Sequence, residues 1–579
     1  MSQFTLGKVL ASTALFASVL ANANANGWAY VNSLLRVMPV SLIFWATYNF
    51  VLYPNLFSPL RHIPTVDGDK WWSPQSLELY RGNIIRGDVQ SQWIDTIPHE
   101  NGLIRYRTIT NKERLIVASP ESLREVLVTK AYHFVKPELL KIGLKRFAGV
   151  GIIVAEGDEH KTQRKSLMPV FEFRHIKDMY SVMWDISAHA VNSLTHDVSA
   201  TKDFTMNIDD WTSSVTLGVI YVAGLGLDID SVLNQDEIYT NLRKVYKMVF
   251  KQEKADIIML FLRVYILPSW VLPYVPLKRN RVLGKASQDL RAECRKLIRQ
   301  RKIELENGVT DETDKNILTV ALSNKNSGFT DENLVDQLCT FLAAGHETTA
   351  TALTWTVYIL SIHPDIQNKL REEIRANLPG PSSSSPSAQE LSAIIDSHMP
   401  YLNAVIQEVL RFFAPVPATF REAAVDTTIQ GFEIPKGTQL ILCPRGTNRD
   451  KALWGEDAKE FNPDRFLLSQ EGYLQEQEQK RDPLHEDDVD ADEKTAPPGH
   501  GRRRSNFANM TFLHGPRSCI GQSFSRAELA IVTATLVGRF EFSLADESQA
   551  DFSTIPLRRG ATFRPLDGLN VKVKMVDGW

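Results

Sequence analysis

The longest run of apolar positions at helical spacing lies between Glu332 and Leu360, and it predicts one long, largely buried helix. A second apolar helix is predicted over Pro400 to Phe413, bounded by Pro400 and Pro415. A third is expected from Ser523 to Ala530 on helical composition. Between them, Val416 to Arg421 reads as extended, because prolines at 415 and 417 disfavour helix in the residue before each. Ile429 to Thr438 reads as a hairpin-like segment with turn residues at both ends of a short strand.

The N-terminal pattern differs. Val37 to Leu56 carries no charge and lies between Arg36 and Arg61. About 20 apolar-leaning residues suffice to cross a bilayer, so 37–56 is expected to be a transmembrane anchor in contact with membrane lipid. Trp45, Tyr48 and Tyr53 suit its interfaces, and Pro59 to Pro64 reads as a hinge onto the remaining domain, 57–579. Ahead of it, within 1–36, the apolar run Val9 to Ala21 follows Lys8 and ends in small residues. It reads either as a cleaved signal peptide or as a first, short span. Leu378 to Pro386 is a Pro/Ser-rich connector. Gln470 to Arg504 is acidic and then basic, too poor in apolar residues to order itself, and a disordered insertion is expected over 470–504.

Composition narrows the function class. The chain has 579 residues, 43% of them hydrophobic, enough to fill a substantial interior. A net charge of -3 gives no footprint for a nucleic-acid partner. Four unevenly placed cysteines argue against a disulfide framework and for a reducing compartment. No period of tens of residues recurs, so a solenoid is not expected.

The chemistry concentrates in Phe512-Leu-His-Gly515-Pro-Arg517-Ser-Cys519-Ile-Gly521. Glycines let backbone N–H groups approach a sulfur, a nearby cation can bind a carboxylate of haem, and a following helix N-terminus favours the thiolate. This suits a buried Cys519 thiolate on haem iron. A Cys/His zinc site through His514 fails, because no second pair stands at finger spacing and Cys294, Cys339 and Cys443 are isolated in sequence. In the long helix, Ala343-Ala344-Gly345-His346-Glu347-Thr348-Thr349 places an acid and two hydroxyls where burial is costly. Ala344 and Thr348 share a face, and with Gly345 they would leave room for a flat macrocycle and for oxygen. Glu347 and Thr348 would then relay protons.

On these residues the chain resembles the cytochrome P450 superfamily, and the resemblance runs in order through five segments between about Asp158 and Glu528. It implies a mainly α fold with a smaller β region (α+β), with haem b between the central helix and the Cys loop. It implies cofactor contacts from Cys519, Arg517, Phe512, Gly515, Gly521, Ala344, Arg421, Arg164 and His160, the last two being basic groups four apart on one helix face. His160 stands where the family usually has Trp. The catalytic pair maps onto Glu347 and Thr348, and a structural triad onto Glu408, Arg411 and Arg465. A monooxygenase is implied that oxidises a lipophilic small molecule with electrons from NADPH. With no flavin or nicotinamide domain in the chain, these arrive through a separate NADPH-cytochrome P450 reductase, for which Arg502 to Arg504 offer a docking patch if they are more than a solvated charge run. A monomer on the endoplasmic reticulum membrane is expected, with its catalytic domain cytosolic. The pattern is similar to that of filamentous-fungal members that act in secondary metabolism. An isomerase or dehydratase on the same fold, a fatty-acid or xenobiotic hydroxylase, and a haem-based sensor or electron carrier are the alternatives.

Overall fold

The computed structural model of the chain describes residues 6–22, 27–68, 87–108, 111–235, 240, 244, 278–308, 316–323, 329–381, 385–467, 505–558 and 560–579. The insertion expected over 470–504, with its arginines, lies outside them.

Helix α1 (Leu6–Asn22) packs along α2 (Gly27–Thr47), which continues as a wider π-type turn through Tyr48–Phe57. The stretch Val31–Phe57 is long and apolar enough to cross a membrane. The helix itself begins ahead of Val37 and includes an exposed Arg36. The prolines that follow form no free hinge. Pro59–His62 is a single 3-10 turn capped by Ser58, and Leu60 and Ile63 are buried against the main sheet.

The catalytic domain is mainly helical, with β1 (Leu103–Arg107), β2 (Glu113–Val117), β3 (Phe134–Val135), β4 (Thr205–Asn207), β5 (Thr419–Ala423), β6 (Thr427–Ile429), β7 (Phe432–Ile434), β8 (Gln439–Leu442), β9 (Phe540–Leu544) and β10 (Asn570–Met575). Five strands form a sheet in the order β1-β2-β8-β5-β3, in which only β2 and β8 run parallel. Its two faces are covered by separate apolar clusters, so Leu115, Ile116 and Val117 are all buried, as expected of strands enclosed on both sides. The hairpin β6–β7 turns at Gln430-Gly431, both at positive φ.

The principal core gathers around α3 (Gly157–Leu167), α4 (Tyr180–Ala200), α5 (Ile208–Val219), α6 (Lys278–Glu306), α7 (Asp331–Ile362), α8 (Pro364–Asn377), α9 (Pro400–Phe412) and α10 (Gln522–Arg539). The central α7 starts in a reciprocal capping box between Thr330 and Asn333, which satisfies two of its orphan donors. Its far end is fixed by Trp355. The indole lies parallel to the Phe413 ring at 5.0 Å and donates from Nε1 to the Phe563 carbonyl. Arg371 of α8 binds the carbonyls of Val537 and Phe540, capping the C-terminus of α10. Central helix and C-terminal segment are thereby held in one frame.

Candidate active site

The Cys519 loop is shaped by its backbone. Leu513 and Gly515 have φ of 57° and 73°, and a Cβ on Gly515 would stand 2.2 Å from the Leu127 carbonyl oxygen. Cys519 N donates to Phe512 O at 2.8 Å, Ser518 N donates to Gly515 O at 2.9 Å, and α10 begins just after Gly521. Cys519 is exposed, yet burial pushes its thiol pKa up, against the Gly521 N–H and the Arg164 guanidinium. The sulfur is thus crowded by protein and still reached by solvent.

Between Leu334 and Ser361, α7 is buried except at Ala343, Ala344, Gly345 and Thr348. Ala344 and Thr348 form one face as expected, and the Thr348 hydroxyl donates to the Ala344 carbonyl at 2.7 Å. Gly345 does something else. A Cβ there would meet Ile220 Cδ1 at 3.0 Å, so its missing side chain admits a neighbouring helix rather than a macrocycle. Glu347, one residue before Thr348, belongs to a buried polar cluster. Its Oε1 accepts from Thr562 at 2.9 Å, its Oε2 lies 3.2 Å from Arg564, and Arg558 stands 4.0 Å away. Arg564 also faces Asp209 at 3.0 Å. Burial alone would raise the Glu347 carboxyl, but Arg564, with His346, Thr562 and Arg558, outweighs it and holds the group below its usual value.

The cations expected around a cofactor carboxylate come together. Arg164 donates to the Ser518 carbonyl at 2.7 Å, and buried Arg421 donates to acceptors of its own strand, Phe420 O at 2.9 Å and Thr419 Oγ1 at 3.4 Å. Arg517 lies buried over the Tyr132 ring at 4.9 Å, in contact with Glu156. None of its nitrogens has a well-directed hydrogen bond among the described residues. His160 is buried with Nδ1 3.2 Å from the Tyr132 hydroxyl, and burial and the surrounding cations push it down to about 4, so it is neutral.

Sequence reasoning missed Lys136. Strand β3 pairs antiparallel with β5, Phe134 opposite Ala423 and Val135 opposite Glu422. One more step of that register sets Lys136 opposite Arg421. Like charges so placed are destabilising, and burial together with Arg421 pushes the Lys136 amine down to about 7. No local motif announces this lysine; only the strand pairing does.

Lys136 and Arg517 reach the Glu156 carboxylate, with Arg421 and Arg164 close by, an excess of positive charge among the described residues that fits a ligand with two carboxylates, as haem has. A thiol lining the same region adds an iron ligand to that set, so the donors present suit haem.

Glu408, Arg411 and Arg465 meet in full burial. Arg411 binds Glu408 bidentately at 2.6 and 2.7 Å, and Arg465 Nε donates to Glu408 Oε1 at 3.0 Å. Arg411 also binds the carbonyls of Asn448 and Ala458, both at 2.7 Å, which ties α9 to the segment running towards the Cys loop. Cys294 and Cys339, far apart in sequence, lie with sulfurs 4.0 Å apart across α6 and α7, both free.

The cytochrome P450 family profile matches residues 99–565. Similar chains include the cytochrome P450 monooxygenase FUM15 of Gibberella moniliformis, 44% identical over 95% of this chain and 94% of that one. The cytochrome P450 monooxygenase ALT8 of Alternaria alternata is 42% identical over 92% and 93% of the two chains. The cytochrome P450 monooxygenase sphH of Aspergillus fumigatus is 39% identical over 92% and 91%. With the profile covering most of the chain and relatives of this identity over nearly full length, the chain belongs to the cytochrome P450 family and is a haem-thiolate monooxygenase.

Proposed function

We propose that Cys519 is the axial thiolate ligand of haem iron and that Thr348, with Glu347, serves oxygen activation on the opposite side. The observation that carries this reading is the Cys519 thiol, crowded by protein yet reached by solvent, with Arg164 beside it and a cation cluster at Glu156. Haem b held there supplies activation of dioxygen and insertion of one oxygen atom into the substrate, with electrons that originate in NADPH and pass through a cytochrome P450 reductase.

The protein's own part follows from its side chains. Gly515 and Gly521 let the loop backbone close around the sulfur, and the Gly521 N–H and Arg164 favour its thiolate form. Arg517, Arg421 and Lys136 bind the cofactor carboxylates, while neutral His160 orients the Tyr132 hydroxyl and Phe512 packs beside the loop. The triad of Glu408, Arg411 and Arg465 fixes the segment that carries the loop and touches no substrate. Thr348 presents its hydroxyl on the open face of α7. Glu347 stays ionised against Arg564, so it relays a proton only after turning from that partner and taking one up from solvent.

The open face of α7 is apolar apart from Thr348, which supports a lipophilic small molecule as substrate. The fungal origin of the similar monooxygenases supports a place in secondary metabolism. The apolar helix at the N-terminus supports a membrane anchor, with the endoplasmic reticulum as the site and a cytosolic monomer domain. Expression with an NADPH-cytochrome P450 reductase tests the reading. The reduced, carbon-monoxide-treated protein should show the red-shifted Soret band of thiolate ligation, Cys519→Ala should lose it, and a true substrate should shift the spin state and gain oxygen. A turnover product without new oxygen would favour the isomerase or dehydratase alternative.

A further inference from the structure

The apolar N-terminal helix ends against the catalytic domain, and it ends in hydrogen bonds. Ahead of the π-type turn its apolar side chains are open, with Leu35, Val40, Ile43 and Phe44 62–67% exposed. Within the turn, Tyr48, Asn49, Tyr53 and Pro54 are buried. A helix end leaves its last carbonyls without partners in the helix, and Pro54 has no N–H to give to the ladder. Side chains of the β1–β2 hairpin meet this end. Arg105 donates to the Pro54 carbonyl at 3.4 Å, Arg107 donates to Asn55 Oδ1 at 2.8 Å, and Asn111 donates to the Phe50 carbonyl. Just past the turn, Ser58 donates to Glu113 Oε2 at 2.6 Å, and the other oxygen of Glu113 accepts from Arg105 at 2.8 Å.

The sheet explains why these residues reach the turn. Arg105 and Arg107 stand two apart on the edge strand β1, so they share one face, and Glu113 of β2 stands opposite Arg107 on that face. Leu103, Leu115 and Val117 continue the same face and cluster with Leu60 and Ile63 of the segment that follows the turn. A single sheet face thus grips the chain with polar groups at one end and apolar groups at the other. Arg105, Arg107 and Asn111 are 6%, 5% and 3% exposed, so solvent does not compete for their bonds. Swinging the helix away would strand buried guanidinium groups, which is costly. A loose tether has the opposite character, a solvated backbone with few side-chain ties.

We propose that this clasp makes the N-terminal helix and the catalytic domain one rigid body, which fixes the tilt of the domain over the bilayer and seats the exposed Leu56, Phe57, Arg61 and Lys112 at the phospholipid headgroups. The first two offer apolar surface and the last two positive charge, a combination that suits an anionic lipid interface. Arg61 also donates to the Leu56 carbonyl at 3.2 Å, so its charge is held beside the apolar pair. The clasp rests on the membrane anchor proposed above, and it adds a fixed joint where an anchor alone needs only a tether.

The test uses the full haem-loaded chain in bilayers of phosphatidylcholine with phosphatidylserine, and the variants Arg107→Leu, Asn111→Gly and their combination. Glycine tolerates the φ of 55° at Asn111 while removing its amide, and leucine keeps the Arg107 site filled without a donor. Flash photolysis of the carbon monoxide complex with polarised light follows rotation of the domain through the haem. The parent's anisotropy should decay only with the slow rotation of the whole protein in the bilayer. In the double variant a faster wobble of the domain should remove roughly half of the anisotropy first. Polarised absorption of oriented bilayers should give one haem tilt for the parent and a broad spread for the double variant. Lys112→Glu should shift that tilt where phosphatidylserine is present and leave it unchanged in phosphatidylcholine alone. All variants should keep the red-shifted Soret band, and Asn111→Gly carries the test by itself if Arg107→Leu fails to fold. Fast wobble in the parent, no added wobble in the variants, or a tilt indifferent to Lys112→Glu would overturn the proposal. Release of the parent from membranes by an alkaline carbonate wash would instead defeat the anchor itself.

Discussion

Arg564 and Glu347 form a buried ion pair, with a guanidinium nitrogen 3.2 Å from Oε2, and the same guanidinium faces Asp209 at 3.0 Å. An acid in the middle of the central helix is therefore stored as an anion between cations. Because the folded pKa is depressed, the pair contributes stability above the unfolded carboxylate pKa and loses it as pH falls through the lower, folded value. Arg564→Leu leaves a buried carboxylate without its main partner and should cost about 3 kcal/mol at pH 7. The deficit should shrink towards pH 5, where the carboxyl of the variant protonates. Urea melts of parent and variant at the two pH values measure this.

Glu347→Gln keeps shape and removes the proton-carrying charge. With Glu347 in the proton path, turnover should fall about 10²-fold while the Soret band of the carbon monoxide complex stays unchanged, the scale usual for a lost general acid or base. Rapid-mixing spectra and product assays check both halves. Equal turnover in the variant would remove Glu347 from the proton path and leave it a structural anion.

Lys136 gives a prediction for cofactor uptake. Its amine sits near 7 in the cation cluster, and pairing with a further carboxylate raises it, so haem binding takes up a proton above that pH. The affinity of the apoprotein for haem should fall as pH rises from 7 to 9, by up to about tenfold per unit if this group dominates. Lys136→Met should bind more weakly at pH 7 and lose most of that dependence. Fluorescence-quenching titrations with haem give both slopes.

The contrast between Lys136 and Arg421 shows where sequence reading stops. Arg421, Arg164, Arg517 and Cys519 sit in short segments that carry the family resemblance, and the long buried helix from Asp331 is announced by its period. The triad partners, too, stand in recognisable segments although Arg465 lies 57 residues from Glu408. Lys136 has no such signal, because its place depends on a two-residue strand pairing with β5 across nearly 300 positions. Arg558, Thr562 and Arg564 were equally hidden as partners of Glu347, since a turn near the C-terminus reaches the central helix only in three dimensions. Gly345 misled for the opposite reason. A small residue in a helix signals close approach, but which neighbour approaches is a property of packing, and here it is Ile220.

The buried triad predicts an asymmetric response to substitution. Arg411→Leu strands Glu408 in a dry site and also orphans the Asn448 and Ala458 carbonyls. It should cost about 3–5 kcal/mol and yield little haem-loaded protein. Arg465→Lys keeps the charge near Glu408 but gives up the planar fork that also reaches Asp457 O at 3.0 Å, so a smaller loss of roughly 1–2 kcal/mol is expected. Thermal melts and the ratio of Soret to protein absorbance rank the two variants.

Gly515 carries the sharpest steric prediction. Its φ of 73° is costly for any side chain, and the Cβ of Gly515→Ala would be driven to 2.2 Å from Leu127 O, a backbone atom that cannot swing aside. Either the loop or the Glu125–Thr129 turn must move, and the loop, closed by the Cys519 N–H to Phe512 O and Ser518 N–H to Gly515 O bonds and tied to Arg164 at Ser518, is the part that carries the sulfur. Displacing Gly515 pulls on both bonds, so the sulfur shifts while the core around α7 and α10 stays intact. Gly515→Ala should therefore fold with near-parental helicity by circular dichroism and yet lose most of the red-shifted Soret band in favour of the unshifted form. A variant with the parental Soret position and haem content would show that the Leu127 carbonyl yields instead, and that the loop does not depend on this glycine.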